Sequence, residues 1–265
     1  MQSKNYFYKA NNMKKIHILS LTLIFVFNCT AAISKTVLIT GANRGLGLEL
    51  VKQYLEDDWS VLATSRSPHN DEELKKLTPT YSSLEIKKLD VTNDMDLENL
   101  ASELSNLPID LIINNAGVLG DPEMQRMGSF NFDSALDIFN TNALGPLRVA
   151  QAFYNNLKAG DEKKLINISS IVGSIELTSG NIYFYRASKA ALNMMMHNLA
   201  REAKKDKIII GLIHPGVLDT DMTAPFSIDK IPVQHSVQGI KKIIDSFDLE
   251  MSGSFLNHKG ARLPW

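Results

Sequence analysis

The chain has 265 residues, of which 44% are apolar and 22% charged, a composition typical of a globular protein with one sizeable core. The formal net charge is -1 and no cluster of lysines and arginines occurs, so we predict no nucleic-acid partner. Cys29 is the only cysteine, and the six histidines are neither paired nor clustered. These counts exclude an intrachain disulfide and a cysteine zinc site, and we predict no metal.

Residues 1–33 are typical of a secretory signal. Lys14 and Lys15 precede the apolar run 16–27, and small residues suited to a signal peptidase follow. We predict a true start at Met13 and a periplasmic or secreted protein. The run is shorter than the roughly 20 apolar residues of a transmembrane helix, so no stable membrane span is expected. Two alternatives stay open: an uncleaved tail that lies on a membrane, or an upstream start codon in a cytoplasmic protein.

From Lys35 onward, short β-branched runs alternate with helical patterns. The predicted strands are 36–40, 61–65, 84–89, 109–113, 164–169, 208–213 and 253–257. The predicted helices are 46–56, 94–105, 133–157, 185–204 and 233–246. This order predicts an α/β fold, a doubly wound parallel sheet of about seven strands with helices on both faces, within one domain over residues 34–265. Ligands of such sheets bind outside the carboxyl ends of the strands.

A glycine-rich loop follows the first predicted strand. Thr40 runs into a G-x-x-x-G-x-G pattern, which leads directly into a helix. Glycines here allow a tight turn and close approach to a pyrophosphate, while the helix N-terminus offers free amides to an anion. We predict a dinucleotide site in which the contacts come from Gly41, Asn43, Arg44, Gly45, Leu46 and Gly47.

Two arginines indicate which dinucleotide binds. Arg66 follows the second predicted strand, where an acidic residue would grip the ribose hydroxyls, and Arg44 lies inside the glycine loop. Because arginine suits a 2′-phosphate, we predict NADP(H) rather than NAD(H), although either arginine alone could be a surface residue. Asp90 and Val91 follow the third strand and are predicted near the adenine, with helix capping as the alternative for Asp90.

The fourth predicted strand leads into the run 114–117, Asn-Asn-Ala-Gly. Its glycine can admit the cofactor, and its asparagine amides can tie adjacent strands together. We predict cofactor contacts from Asn115, Ala116 and Gly117.

Tyr185 and Lys189 stand four apart at the start of a predicted helix, which places them on one face. An ammonium beside a phenol lowers a pKa that is otherwise near ~10, so this tyrosine could exchange a proton near neutral pH. A tyrosine packed under a solvated lysine is the alternative. Tyr154 and Lys158 have the same spacing within a long amphipathic helix, and we predict that they form an ordinary exposed pair.

These elements, in this order, resemble the short-chain dehydrogenase/reductase family in its single-domain form, which has a Rossmann fold. The resemblance covers nearly everything from Lys35 onward, and within the family the chain is similar to C-factor and sniffer-like carbonyl reductases. The catalytic quartet of the family falls on Asn142, Ser170, Tyr185 and Lys189. Asn142 is preferred to Asn140 because it lies in the family's Asn-x-x-Gly pattern.

The resemblance implies further cofactor contacts from the family's proline-glycine turn, namely Pro215, Gly216, Val217 and Thr220, beside Tyr185 and Lys189. The spacing from Ser170 to Tyr185 is two residues longer than is common in the family, which leaves Ser169 as a rival that we rank second. Residues 221–232 are expected to form a lid, and core contacts are the alternative for its apolar side chains. A homodimer or homotetramer through the two long helices is implied.

The implied activity is hydride transfer between NADP(H) and a carbonyl or alcohol substrate. The resemblance implies that Ser170 and Tyr185 hold the substrate oxygen, that Tyr185 exchanges the proton, that Lys189 holds the nicotinamide ribose and keeps the tyrosine acidic, and that Asn142 anchors a water. Two alternatives stay open. One is a signalling or sensor protein that binds dinucleotide without steady turnover, and the other is an NAD-linked alcohol dehydrogenase.

Overall fold

The computed structural model describes residues 34–265, and the predicted signal, Met13 and Cys29 lie outside these residues. Seven strands form one sheet in the order β3-β2-β1-β4-β5-β6-β7, and every pairing is parallel. The strands β1 to β7 are Thr36–Ile39, Ser60–Ser65, Leu84–Lys88, Leu111–Asn114, Lys164–Ile168, Ile209–His214 and Phe255–Asn257. The predicted doubly wound parallel sheet is therefore confirmed.

Two hydrophobic clusters cover the two faces of the sheet. Successive residues of a strand point to opposite faces, and in β1 Val37 and Ile39 join one cluster while Leu38 joins the other. The helices α1 to α8 are Gly45–Glu56, Glu72–Lys75, Asp94–Glu103, Phe132–Phe139, Gly145–Ala152, Tyr154–Ala159, Tyr183–Ala203 and Val233–Ser246. Leu50 of α1 and Ile240 of α8 pack in the first cluster, and Val149 of α5 and Leu192 of α7 pack in the second, so helices lie on both faces as predicted.

The single helix predicted over 133–157 is wrong. The structure divides it into α4, α5 and α6, with a π-helical turn at Asn140–Leu144 and a break at Phe153. Asn142 lies in the π turn and is fully buried, with its amide bonded to Val118 and Ser188. A π turn inserts one residue into a helix and is often found at functional sites. Here the π turn places the side-chain amide of Asn142 in the protein interior.

Smaller differences concern the ends of elements. The fourth strand begins at Leu111 rather than at residue 109, because the Ile109 amide donates to Asn156 O of α6 instead of to a strand. The helix predicted over 185–204 begins two residues earlier, and the short α2 was not predicted. Within residues 34–265, no helix has the length and apolarity that crossing a membrane requires.

Candidate active site

The candidate site lies at the carboxyl edge of the sheet, between β1 and β4. These neighbouring strands form the point at which the chain order reverses, so the loops that follow them lead in opposite directions and leave a crevice. The glycine loop follows β1, and the Asn-Ala-Gly segment follows β4. The fold therefore brings the two predicted cofactor motifs to one place.

The glycines let these two loops approach closely. A Cβ at Gly41, where φ is +62°, would lie 2.8 Å from Ala116 Cα, and a Cβ at Gly47 would lie 2.3 Å from Gly41 O. The Thr40 hydroxyl accepts hydrogen bonds from the amides of Asn115 and Ala116, at 3.0 and 3.1 Å. The side-chain Nδ2 of Asn115 donates to Thr40 O and Gly41 O, both at 2.9 Å. Thr40 was not among the predicted site residues, yet its hydroxyl fastens one loop to the other.

Helix α1 begins at Gly45 without a side-chain cap from Arg44. The first amides of a helix have no partner within the helix, so this end suits an anion such as a pyrophosphate. The guanidinium of Arg44 lies 3.2 Å from the carboxylate of Asp221, and both side chains are exposed. Asn43 donates to Asp71, whose buried carboxylate also accepts from Ser65. Asp71 had no sequence signal as part of this end of the site.

The residues predicted near the adenine have local partners. The Asp90 carboxylate accepts from the amide and hydroxyl of Thr92, at 2.9 and 2.7 Å. The N-cap of α3 is Asn93, which accepts from the amide of Asp96, so helix capping is not the role of Asp90. Val91 is 6% exposed and packs in the second cluster.

Because Gly117 has no Cβ, a small space remains between two members of the predicted quartet. A Cβ at this position would lie 3.2 Å from Asn142 Oδ1 and 3.7 Å from Lys189 Nζ. These are the polar ends of side chains, and Asn115 O lies 3.8 Å from the same point, so the space is lined by hydrogen-bonding groups. Such groups, together with the first amides of α1, fit a dinucleotide: the amides would hold its phosphates, and Asn142 and Lys189 would border the rest of it.

Alanine substitutions at two glycines separate cofactor binding from folding. We expect Gly47→Ala to lower the free energy of unfolding by about 1–3 kcal/mol, because the new Cβ overlaps main chain. In Gly117→Ala the tightest contact of the new Cβ is Asn142 Oδ1 at 3.2 Å, a smaller overlap than at Gly47, so we expect a smaller loss of stability together with weaker NADPH binding. Thermal unfolding and fluorescence titration measure the two effects. Unchanged NADPH affinity in Gly117→Ala would place the cofactor elsewhere.

Tyr185 and Lys189 lie on one face of α7, beside the end of β5. Lys189 is 5% exposed, and its Nζ donates to Ile168 O at 2.9 Å and lies 5.8 Å from the centre of the Tyr185 ring. Ser170 forms a side-chain hydrogen bond with the Tyr185 phenol. Ser169 instead donates to Asn193 at 2.6 Å and is 2% exposed. Ser170 is thus the serine that reaches the tyrosine.

Asn142 is connected to Tyr185 and Lys189 through Ser188, which lies on α7 with them. Its Nδ2 donates to Val118 O at 2.8 Å and to Ser188 Oγ at 3.1 Å, while its Oδ1 accepts from the Val118 amide at 2.8 Å. A fifth polar residue has no sequence signal: the Gln125 side chain is fully buried, and its Oε1 accepts from the Tyr185 amide at 2.9 Å. Gln125 therefore holds the first turn of α7 in place.

The expected acidification of Tyr185 is not found in this structure. Burial raises the pKa of its phenol to about 12, and the hydrogen bond with Ser170 offsets only part of that rise. Burial also lowers the pKa of Lys189 to about 8. The prediction is wrong here because removal from water acts on both groups, and the ammonium is bonded to a main-chain oxygen rather than to the phenol. At neutral pH the phenol therefore keeps its proton.

Tyr154 and Lys158 have the same spacing and a different setting. Tyr154 donates to Asp206 at 2.8 Å, and Lys158 forms an ion pair with the same carboxylate at 2.9 Å. Burial, followed by the bond to Asp206, raises the pKa of Tyr154 to about 12. Lys158 is exposed as predicted, whereas Tyr154 is half-buried. The pair is bonded to a surface carboxylate and not to the sheet edge.

The proline-glycine turn follows β6. Gly216 has φ +88°, and a Cβ there would lie 2.7 Å from Ile231 Cδ1. The Ile231 amide donates to Val217 O at 2.8 Å, and the Ser236 hydroxyl donates to Pro215 O at 2.6 Å. Thr220 caps the short 3₁₀ helix Asp221–Thr223. The far end of the predicted lid is therefore pinned back onto the turn at Ile231.

His214 precedes this turn and makes folding sensitive to acid. It is 8% exposed, its Nδ1 has no partner among residues 34–265, and burial lowers its pKa to about 4, with a smaller contribution from His258. Because the unfolded chain binds the proton below about pH 6.5, folding stability falls by up to about 3 kcal/mol between pH 6.5 and 4. We expect His214→Asn to flatten this decline in denaturant titrations. The exposed His69→Asn should retain it, and an unchanged decline in His214→Asn would contradict the assignment.

Comparison with known proteins identifies the family. The short chain dehydrogenase family model matches residues 35–230. The C-signal of Myxococcus xanthus is 36% identical over 166 residues, which cover 62% of this chain and 98% of that protein. The NADPH-bound carbonyl reductase from chicken fatty liver superposes with a TM-score of 0.81 at 32% identity, over 88% of this chain and 99% of that one. The carbonyl reductase Sniffer of Drosophila melanogaster gives 0.80 and 30%, over 88% and 100%.

With this fold and this sequence match, the chain belongs to the short-chain dehydrogenase/reductase family of oxidoreductases. The predicted similarity to C-factor and sniffer-like proteins is confirmed by the same relatives.

Proposed function

We propose that residues 34–265 form an NADP(H)-dependent reductase of carbonyl compounds, with Asn142, Ser170, Tyr185 and Lys189 as its functional quartet. The observation that carries this proposal is the small space that Gly117 leaves for want of a Cβ, because Asn142 and Lys189 border it and the neighbouring Ala116 lies against Gly41 of the glycine loop. NADPH, when bound, would supply the hydride. The relative of known structure from chicken is a carbonyl reductase with bound NADPH, which supports the same cofactor here.

The proton is assigned to Tyr185. Its raised pKa keeps the phenol protonated at neutral pH, as a donor to a developing alkoxide requires. Ser170 follows β5 and interacts with the phenol, so we assign both hydroxyls to one substrate oxygen held between them. Both residues then act on the same atom, Ser170 as a hydrogen-bond donor and Tyr185 as the acid.

Lys189 and Asn142 are assigned to support. The Lys189 ammonium is fixed by Ile168 O and borders the Gly117 space, where it can donate to ribose hydroxyls. The side-chain amide of Asn142 is fully hydrogen-bonded to Val118 and Ser188, so we assign Asn142 a positioning role. A water anchored by Asn142 would therefore bind its main-chain oxygen. Ser188 in turn donates to Tyr185 O at 2.8 Å, which links Asn142 to the turn of α7 that carries the acid.

Cofactor preference is assigned to Arg66 and Arg44. The Arg44 ion pair with Asp221 is exposed, and such pairs are worth little, so Arg44 is free to exchange its partner for a phosphate. We expect Arg66→Ala to weaken NADPH binding by about 10- to 100-fold, the value of a charge-assisted hydrogen bond, and to leave NADH binding unchanged. The exposed Arg262→Ala is the control. Equal weakening of both cofactors by Arg66→Ala would contradict the role.

A homodimer or homotetramer is part of the proposal. Large apolar side chains are exposed on the two helices named for it, with Phe132 and Leu136 on α4 and Tyr183 and Met194 on α7. Exposed apolar patches on helices mark contacts between proteins. The expected assembly therefore uses α4 and α7, and sedimentation of Leu136→Glu against the unaltered chain tests it.

The alternative of a dinucleotide-binding signalling protein rests on the similarity to the C-signal. Titration with NADPH and NADH side by side, followed by assay against a panel of aldehydes and ketones, distinguishes the candidates. Tight NADPH binding with turnover supports the reductase. NADPH binding without turnover of any carbonyl supports the signalling protein, and preference for NADH with alcohol oxidation supports the NAD-linked dehydrogenase.

A further inference from the structure

Trp265 holds the segment that joins Ser170 to the tyrosine helix. Its main-chain oxygen accepts hydrogen bonds from the Glu176 amide at 3.0 Å and from Ser174 Oγ at 3.2 Å. Ser174 is 2% exposed, and its Oγ also accepts from the Leu177 amide at 3.2 Å. Residues 174–177 are therefore fastened to Trp265 by two hydrogen bonds and closed by a third within the segment.

Trp265 is itself fastened to rigid elements. Its ring stacks on Phe255 of β7, with centroids 5.8 Å apart and planes 22° apart, and meets the His197 ring of α7 edge-on at 5.2 Å. The Leu263 amide donates to Phe255 O at 2.9 Å, so the chain just before Trp265 follows the same strand. Aromatic contacts of this kind are each worth about 0.5–1.5 kcal/mol beyond the area they bury. Trp265, which accepts the hydrogen bonds from residues 174–177, is therefore itself held in place by β7 and α7.

The chain that continues from residues 174–177 is hydrogen-bonded to Arg186, the residue that follows Tyr185. Arg186 follows Tyr185 directly and donates to Asn181 O at 3.1 Å and to Ser179 Oγ at 2.8 Å. At the near end, a Cβ on Gly173 would lie 2.9 Å from Lys189 Cβ, so the chain after Ser170 rests directly on α7. The segment is therefore clamped against the helix of Tyr185 and Lys189, with Trp265 as its outer support.

Between these ties the segment exposes apolar side chains. Ile175 is 75% exposed and Leu177 is 44% exposed, and both adjoin the residues bonded to Trp265. Met222 and Ile228, 38% and 53% exposed, lie on the segment after the proline-glycine turn. Ligand sites are lined mainly by apolar side chains around a few polar groups. The two segments follow the carboxyl ends of the neighbouring strands β5 and β6, and ligands of such sheets bind at that edge.

We propose, resting on the proposed function, that Trp265 is a positioning residue that holds residues 174–177 as the apolar wall of the carbonyl site. The wall sets selectivity by the size of the apolar substituent, so that a ketone with a long alkyl chain is reduced more efficiently than acetone. Trp265 does not touch the substrate. It acts through Ser174 and Glu176, and loosening it moves Ile175 and Leu177 while the cofactor loops stay in place.

The test compares Trp265→Ala and Ser174→Ala with the unaltered chain on methyl ketones of increasing alkyl length. We expect kcat/KM for the long ketones to fall by about 10-fold in both variants, the scale of a lost apolar pocket contact, with little change for acetone and for NADPH affinity. Trp265→Phe keeps the aromatic contacts and should restore the selectivity. Ser246→Ala, which removes a remote hydroxyl bonded to Ile243 O, is the matched control.

Hydrogen exchange tests, without any turnover, whether Trp265 holds residues 174–177 in place. The Glu176 and Leu177 amides should be protected in the unaltered chain and in Trp265→Phe, and exposed to exchange in Trp265→Ala. Unchanged protection in Trp265→Ala, or an equal loss of kcat/KM on acetone and long ketones, would overturn the proposal. If no carbonyl is reduced by the unaltered chain, the proposed function and the selectivity both fail, and the exchange data still show whether Trp265 holds the segment.

Discussion

Replacing Tyr185 by phenylalanine is expected to lower kcat for carbonyl reduction by about 10²- to 10⁴-fold, the usual contribution of a positioned general acid. The substitution removes the proton donor and the hydrogen bond with Ser170, and it keeps the ring beneath which Lys189 lies. NADPH affinity should change little, because the glycine loop, the Gly117 space and the Lys189 ammonium are untouched. Steady-state rates at saturating NADPH, with a separate fluorescence titration, give the two quantities.

Tyr154→Phe is the matched control for this experiment. Tyr154 also precedes a lysine by four residues on a helix, and its phenol also has a pKa raised to about 12, but it is bonded to Asp206 at the surface. The control should keep kcat and lose a small amount of stability. If Tyr154→Phe and Tyr185→Phe gave the same rate, the assignment of the acid to Tyr185 would be wrong.

The second large effect concerns Lys189. Lys189→Met should lower kcat by about 10²-fold, since a fixed positive charge beside the developing negative charge is lost, and should weaken NADPH binding. Burial lowers the pKa of Lys189 from 10.5 to about 8. Between these pH values the unfolded chain binds a proton that the folded chain does not, so stability from this group rises with pH, by about 3 kcal/mol over the whole window.

Denaturant titrations of the unaltered chain and of Lys189→Met between pH 7 and 10.5 measure this term. The difference in free energy of unfolding should shift in favour of the unaltered chain by up to about 1.4 kcal/mol for each pH unit above 8. Lys158→Met is the control, because Lys158 is 45% exposed and forms only a surface ion pair. A constant difference across the window would show that Lys189 keeps its proton when buried.

Much of the fold follows from local patterns. The alternation of β-branched runs with helical periodicity is enough to predict the seven strands, because strands of a parallel sheet are buried on both faces and read as continuous apolar runs. The glycine loop is also visible in the sequence, because Gly41 and Gly47 sit where a Cβ would strike main chain. The order of these motifs indicates the family.

The missed features depend on contacts between residues far apart in the chain. The π turn at Asn140–Leu144 comes with the bonds that Asn142 makes to Val118 and Ser188, and helical periodicity carries no sign of them. The sequence around Gln125 indicates only a loop, because the acceptor role of its side chain towards the Tyr185 amide depends on the folded structure. The pKa of Tyr185 was predicted in the wrong direction because spacing shows the neighbouring charge and not the loss of water around both groups.

A single-turnover experiment decides whether this chain reduces a carbonyl with NADPH through Tyr185. The protein is loaded with one equivalent of NADPH, mixed rapidly with a long-chain ketone, and followed by the absorbance of the reduced nicotinamide. We expect the unaltered chain to oxidise the bound NADPH completely, and Tyr185→Phe to do so at a rate lower by about 10²-fold or more. Bound NADPH that stays reduced in the unaltered chain with every aldehyde and ketone tried would contradict it.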